Sequence, residues 1–241
     1  YGTLRKAVND DPTDPNARNP QYKRTGWGVK LGYGSHRNYL DLYFLRAYDR
    51  LKSIDERWAN TISPQDNLVV GMRGGVSLKN HLSLTANFAA SVLSLDKTAT
   101  IIDTDEAQRF DKVFDARYSS MARYAGDVNV NLSFSGFNAS LFYRMIQPDY
   151  TSLGTYYMSN NYHGLGVNLS TVLLRRLSLS ASFSGQADNL SGNQLYTTRG
   201  FVYNANASTR IGNLGLGFAI NEIESSDFID RSEEHTSELQ S

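Results

Sequence analysis

The sequence contains no cysteine, which removes a disulfide framework, a thiolate metal site and a cysteine nucleophile together. No run approaches the roughly 20 apolar residues that a membrane-spanning helix needs, so a helical membrane protein is excluded. There is no excess of either charge, with 24 Lys and Arg against 24 Asp and Glu, which excludes a basic nucleic-acid arm and an acidic disordered tail. Phosphate-loop spacing and a basic stripe are absent too, so nucleic acid is not an expected partner. What the chain has in quantity is 15 tyrosines and 19 glycines, both common in membrane β-barrels and their turns.

Both ends carry a signature of processing. The chain opens at Tyr1 without Met or leader, which reads as a missing upstream segment. The last eleven residues, Arg231-Ser232-Glu233-Glu234-His235-Thr236-Ser237-Glu238-Leu239-Gln240-Ser241, translate a common short-read sequencing adapter codon for codon. The expectation is that 231–241 is non-native and makes no ordered contact with the rest. Setting it aside removes one arginine and three glutamates and leaves a small positive excess.

From Arg24 onward, apolar and polar residues alternate, the mark of strands with two unlike faces. Trp27, Val29, Leu31 and Tyr33 share one parity, and Gly26, Gly28, Lys30 and Gly32 the other. Leu82, Leu84, Phe88 and Val92 alternate with Ser83, Thr85, Asn87 and Ser91; the same period recurs around Val128–Phe134 and Leu177–Phe183. The pattern predicts ten strands, near 24–34, 39–48, 68–78, 82–93, 126–134, 137–147, 162–173, 177–186, 199–210 and 214–221. Their connections alternate between short (35–38, 79–81, 135–136, 174–176, 211–213) and long (49–67, 94–124, 148–161, 187–198). Short turns on one rim and long loops on the other describe an antiparallel up-and-down transmembrane β-barrel. On that reading 24–221 forms barrel strands, 1–23 is the remnant of an extracellular loop and 222–230 begins another outer loop. Strand parity then asks for at least one further strand on each side, making this part of a barrel of 12 or more.

Charge decides which face meets lipid. A water-facing strand surface usually carries Lys, Glu and Arg, whereas the polar parity here is mostly Gly, Ser, Asn and Thr. Lys30, Asp41, Arg73, Asp127 and Arg144 share that parity and are the expected lumen-lining residues. A charge on the lipid face near the midplane costs about 2–4 kcal/mol, so hydrocarbon selects this distribution. Arg46 and Arg199 break parity, but near strand ends where a rim is wet. Trp27, Tyr33, Phe134, Phe137 and Phe201 suit interfacial girdles. Tyr150, Tyr156, Tyr157 and Tyr162 crowd one long connection and are candidates for contacts at the outer rim with a surface glycan or an envelope protein.

Little points to an enzyme. His163 with Ser159 lacks the convergent acid of a triad, and serine is frequent because the polar face is small. Asp10, Asp11 and Asp14, and separately Asp103, Asp105 and Glu106, lack the ligand spacing and glycine of an EF-hand loop. The Asn-x-Ser triplets at Asn131, Asn138, Asn168, Asn189 and Asn206 largely restate the alternation. No catalytic, cofactor or metal residue is expected.

Two loop entries carry a resemblance. Arg144-Met145-Ile146-Gln147-Pro148-Asp149-Tyr150-Thr151-Ser152-Leu153-Gly154-Thr155-Tyr156-Tyr157 resembles a loop entry of large Bacteroidetes outer-membrane barrels, as does Asp188-Asn189-Leu190 followed by Thr197-Thr198-Arg199. The likeness covers about 126–221 and implies an outer-membrane location, with lipid as the surrounding partner, but no catalytic or cofactor residue. The expected function is a channel or translocation component of the cell envelope. The alternative is a structural anchor for a surface or periplasmic domain.

Overall fold

The computed structural model describes residues 1–229 except 12, 60, 80, 103–113, 156–157, 175 and 212–213. The adapter-like tail 231–241 lies outside the described residues, as do Asp103, Asp105 and Glu106. Eleven antiparallel strands form one sheet in strict chain order, β1 to β11. They are β1 Gly2–Arg5, β2 Arg24–Gly34, β3 Tyr39–Asp49, β4 Asp66–Leu78, β5 Leu82–Ser94 and β6 Ser120–Phe134. After them come β7 Phe137–Ile146, β8 Tyr162–Leu173, β9 Leu177–Asp188, β10 Tyr196–Ile211 and β11 Leu214–Ile229. A 3-10 turn, Leu51–Ser53, and a single α-helical turn, α1 Glu56–Ala59, sit between β3 and β4. Among the described residues, no helix is long and apolar enough to cross a membrane. The first and last strands of the order do not pair with each other, so the sheet is open.

All ten strands expected from the alternation are present, and short and long connections alternate as the pattern predicts. The sheet passes both expected limits. Gly2–Arg5, inside the stretch read as loop, pairs with Arg24–Gly26. Four residues are too few to display a period, so only the pairing reveals them. At the other end β11 runs to Ile229 instead of giving way to a loop at 222. Its alternation is masked because Glu222 and Glu224 occupy the apolar parity, opposite Tyr203 and Phe201. β10 and β11 are 16 residues each, well beyond the roughly 9–11 that a tilted crossing of a bilayer uses.

Register is continuous from β2 to β11, and the one shift lies between β1 and β2. Parity is therefore conserved across the sheet, because a single-residue slip would move a strand's side chains to the other face. Leu42, Met72, Phe88, Val128, Tyr143 and Leu165 belong to one apolar face, which is largely bare. Leu84 and Phe88 of β5 are 43% and 46% exposed, while Ser91 on the opposite face is 2% exposed. Leu82 and Val92 are half-buried. The aliphatic parity is thus not the inside of a compact core.

The small core lies instead on the polar face. Ala47, Leu93 and Leu153 form it, with Met121 packed alongside. Several glycines on that face make room for aromatic rings laid flat. A Cβ on Gly71 would stand 2.0 Å from the Tyr43 ring, and one on Gly166 2.2 Å from Phe142.

Candidate functional site: a charged row and an inward-folded segment

The five lumen-lining candidates come together in one band. Asp41 pairs across the sheet with Arg73, Arg73 with Asn87, Asn87 with Asp127, and Asp127 with Arg144. Five successive strands thus place polar or charged side chains in a single transverse row. Antiparallel register makes this possible, since directly opposite residues share a face. Lys30, one row further along β2, reaches back so that its Nζ lies 2.9 Å from Asp41 Oδ2. Lys30 is well exposed, so this pair contributes little stability. Gly32 opposite Asp41 leaves space for the carboxylate, because a Cβ there would stand 2.5 Å from Oδ1.

Within the row, Asn87 and Asn129 donate to Asp127 Oδ2 at 2.8 and 3.1 Å. Arg73 lies over the Tyr39 ring, 5.4 Å from its centroid. Neither Arg73 nor Arg144 makes an ion pair among the described residues, and both are exposed. Two exposed guanidinium groups thus stand on the polar face, each across the sheet from a carboxylate that it does not contact as an ion pair. Arg144 borders a hollow of about 680 Å³ on that face, together with Tyr162, Gln186 and Asp188. Arg73 and Asp41 border a separate hollow next to the short turn at Ser35 and His36.

The tyrosine candidates divide. Tyr156 and Tyr157 lie outside the described residues. Tyr162 is half-buried at the start of β8 and lines the hollow beside Arg144. Tyr150 is not an outer-rim contact: it is 4% exposed. The reason is that its loop folds onto the polar face instead of standing outward. Burial, followed by the Tyr43 hydroxyl, pushes the Tyr150 phenol pKa up.

The path of this segment is well defined. Arg123 Nε on β6 donates to the Pro148 carbonyl at 2.9 Å. Ser91 Oγ on β5 donates to the Thr151 carbonyl at 2.6 Å. The Leu153 N–H donates to Asn67 Oδ1 on β4 at 3.0 Å. Gly154 rests on Leu45 of β3, where a Cβ would be 2.4 Å from Cδ2. Residues 148–154 thus step across β6, β5, β4 and β3 in turn, about 14 Å at the usual strand spacing. Asn67 and Ser91 are 0% and 2% exposed, yet their side-chain groups are satisfied: Asn67 Nδ2 donates to Ser91 Oγ and to the Val92 carbonyl. Asp149 and Asn161 take left-handed φ values of 59° and 63° close to the two ends of the excursion, a conformation Asp and Asn tolerate.

Above the row, charges outside the expected set knit the long-loop rim of β1–β4. Asp49 is 1% exposed and accepts from Arg24 Nε at 2.8 Å, from Arg5 Nη2 at 3.3 Å and from the Gln65 N–H at 3.1 Å. On the apolar parity, Arg46 bonds Asp66 at 2.8 Å beneath the Phe114 ring. Arg199, the other parity exception, lies over Phe228. Asp10 is held by Arg18 and Asp11 by Thr13 and Arg57, so these carboxylates are committed to protein donors. His163 faces the apolar side between Met145 and Ala187.

The inward segment left a trace in the sequence that alternation counting alone passes over. Leu45, Ala47, Val69, Leu93 and Met121 are apolar residues on the polar parity, all toward the long-loop ends of β3–β6. An apolar patch on a wet face asks for a cover. No protein-family model matches the chain, and no curated protein and no solved structure is significantly similar to it.

Proposed function

We propose that the protein is a β-barrel of the bacterial outer membrane that serves as a channel or translocation component for polar solutes, its open sheet closed by further strands into a ring of 12 or more. The observation that carries this reading is the apolar face, bare from Val29 on β2 to Phe218 on β11. Soluble monomers rarely expose apolar patches beyond a few hundred Å². A face spread over ten strands suits hydrocarbon as its solvent, with outer-membrane lipid as the surrounding partner. The opposite face, with its charged row and its Gly, Ser and Asn, suits a wet lumen.

The test is ion conductance of the full-length protein in planar bilayers. Arg73→Glu and Arg144→Glu are each expected to move the selectivity toward cations, since each replaces an exposed positive charge on the polar face by a negative one. Conductance indifferent to both reversals would refute their assignment as lining residues. A second reading, a structural anchor whose lumen is occluded, is favoured by the segment 148–154 lying across part of the polar face. Electrical silence of the demonstrably folded barrel would support that anchor.

A further inference from the structure

We infer that residues 148–154 form the size filter of the conduit, a fixed ledge pinned by Asn67 and Ser91 that sets which polar solutes pass. This inference rests on the channel reading and goes beyond it by naming what limits passage. Three observations converge on the same stretch. It lies on the polar face, and its contacts come from four strands in succession. Its anchor is built on the wall: Asn67 is fully buried, with both its oxygen and its amide nitrogen bonded, and Ser91 both accepts from Asn67 and donates to the ledge. A satisfied buried network of this kind specifies one position, because any displacement leaves polar groups unpaired away from water. Finally, Leu153 closes the cluster with Ala47 and Leu93, so leaving the wall would expose apolar surface on the wet face.

The ledge narrows the passage on one side only. It covers the long-loop ends of β3–β6, whereas the hollow beside Arg144, Tyr162 and Gln186 remains open. Solutes thus have a route along β7–β10, and its width depends on how far the ledge projects. The class admitted is the small hydrophilic molecule, with exclusion by size.

The experiment uses the full-length protein in liposomes, with swelling read for uncharged saccharides of increasing size, and in planar bilayers for unitary conductance. One variant combines Asn67→Ala with Ser91→Ala and removes the anchor from the wall. A second combines Tyr150→Ser with Leu153→Ser and loosens the ledge without touching a strand residue. Strand content by circular dichroism establishes which of them fold. The expected result is that a folded variant admits saccharides that the wild type excludes and shows a raised unitary conductance. Folded variants that keep the wild-type size limit and conductance overturn the filter while leaving the channel standing. A folded wild type that admits no saccharide and carries no current overturns the channel reading and the filter with it.

Discussion

The long-loop ends of β2–β6 and of β8–β11 share one alternating pattern but are finished differently. The first region is covered on both faces. Segment 148–154 lies on the polar side, and on the apolar side Phe114 packs over Arg46 and Lys97 over Tyr48. It also holds the buried ion pairs Arg24–Asp49 and Arg46–Asp66. In the second region only Tyr196–Thr198 of β10 and Asp227–Ile229 of β11 run beyond the end of β9, and Glu222 and Glu224 are exposed on what is elsewhere the apolar face. Where the wet parity turns apolar at Ala47, Leu93 and Met121, the chain folds back to cover it, whereas Ile223, apolar on the same parity in the second region, stays 79% exposed.

The sharpest way to break this contrast is at Asp49. Asp49→Ala leaves the largely buried Arg24 guanidinium without its carboxylate, and losing one partner of a buried pair costs about 3–5 kcal/mol. Denaturant unfolding in detergent micelles should report a destabilisation of that order. The matching change in the bare region, Glu222→Ala, should leave the midpoint nearly unmoved. Equal effects would show that the two ends are not different in kind.

A smaller effect is expected from adding one methyl. Gly71→Ala drives a Cβ into the Tyr43 ring, an overpacking worth about 1–3 kcal/mol. Gly215→Ala on β11 meets nothing within 4 Å and should be close to neutral. Thermal unfolding of the two variants side by side checks this, and similar midpoints would count against the close ring-on-glycine contact.

The smallest effect concerns pH at the rim. Three hydrogen bonds from Arg18, two from its side chain and one from its backbone N–H, hold the Asp10 carboxyl down at about 2. A carboxyl depressed in the folded state contributes stability above its unfolded value, and that contribution is lost as pH falls through about 2. Asp10 lies in a surface loop with its side chain partly exposed, so the change should be local, a loosening of the Asp10–Arg18 loop and its Trp58 contact while the sheet persists. Carboxyl resonances followed by NMR should titrate with that midpoint, and an Asp10 midpoint near the ordinary value would refute the fork.

Much of the fold was legible because a period of two is a direct physical signal and each strand repeats it. The charged row was legible as a set of parities, while its alignment into one line needed the register, which Lys30, Asp41 and Arg73 do not reveal one by one. Tyr150 was misplaced for a different reason. Loop aromatics carry no periodic signal, and its burial depends on contacts such as Leu153 to Asn67, 86 residues apart in the chain. The apolar residues at Leu45, Ala47 and Leu93 held the missing information, readable only as failures of the rule that located the strands.

Every strand in the sheet pairs only with its neighbours in sequence. This nearest-neighbour wiring has a consequence for how the protein tolerates insertion and loss of chain. Duplicating a whole hairpin adds two strands that bring their own apolar stripe and their own share of the polar face, and no existing strand exchanges a partner except at the seam. Inserting one residue in the middle of β7 does the opposite, inverting every side chain beyond it and carrying Arg144 to the apolar face. Variation in such a lineage is thus expected to come in steps of hairpins, with single-residue changes of length confined to the loops.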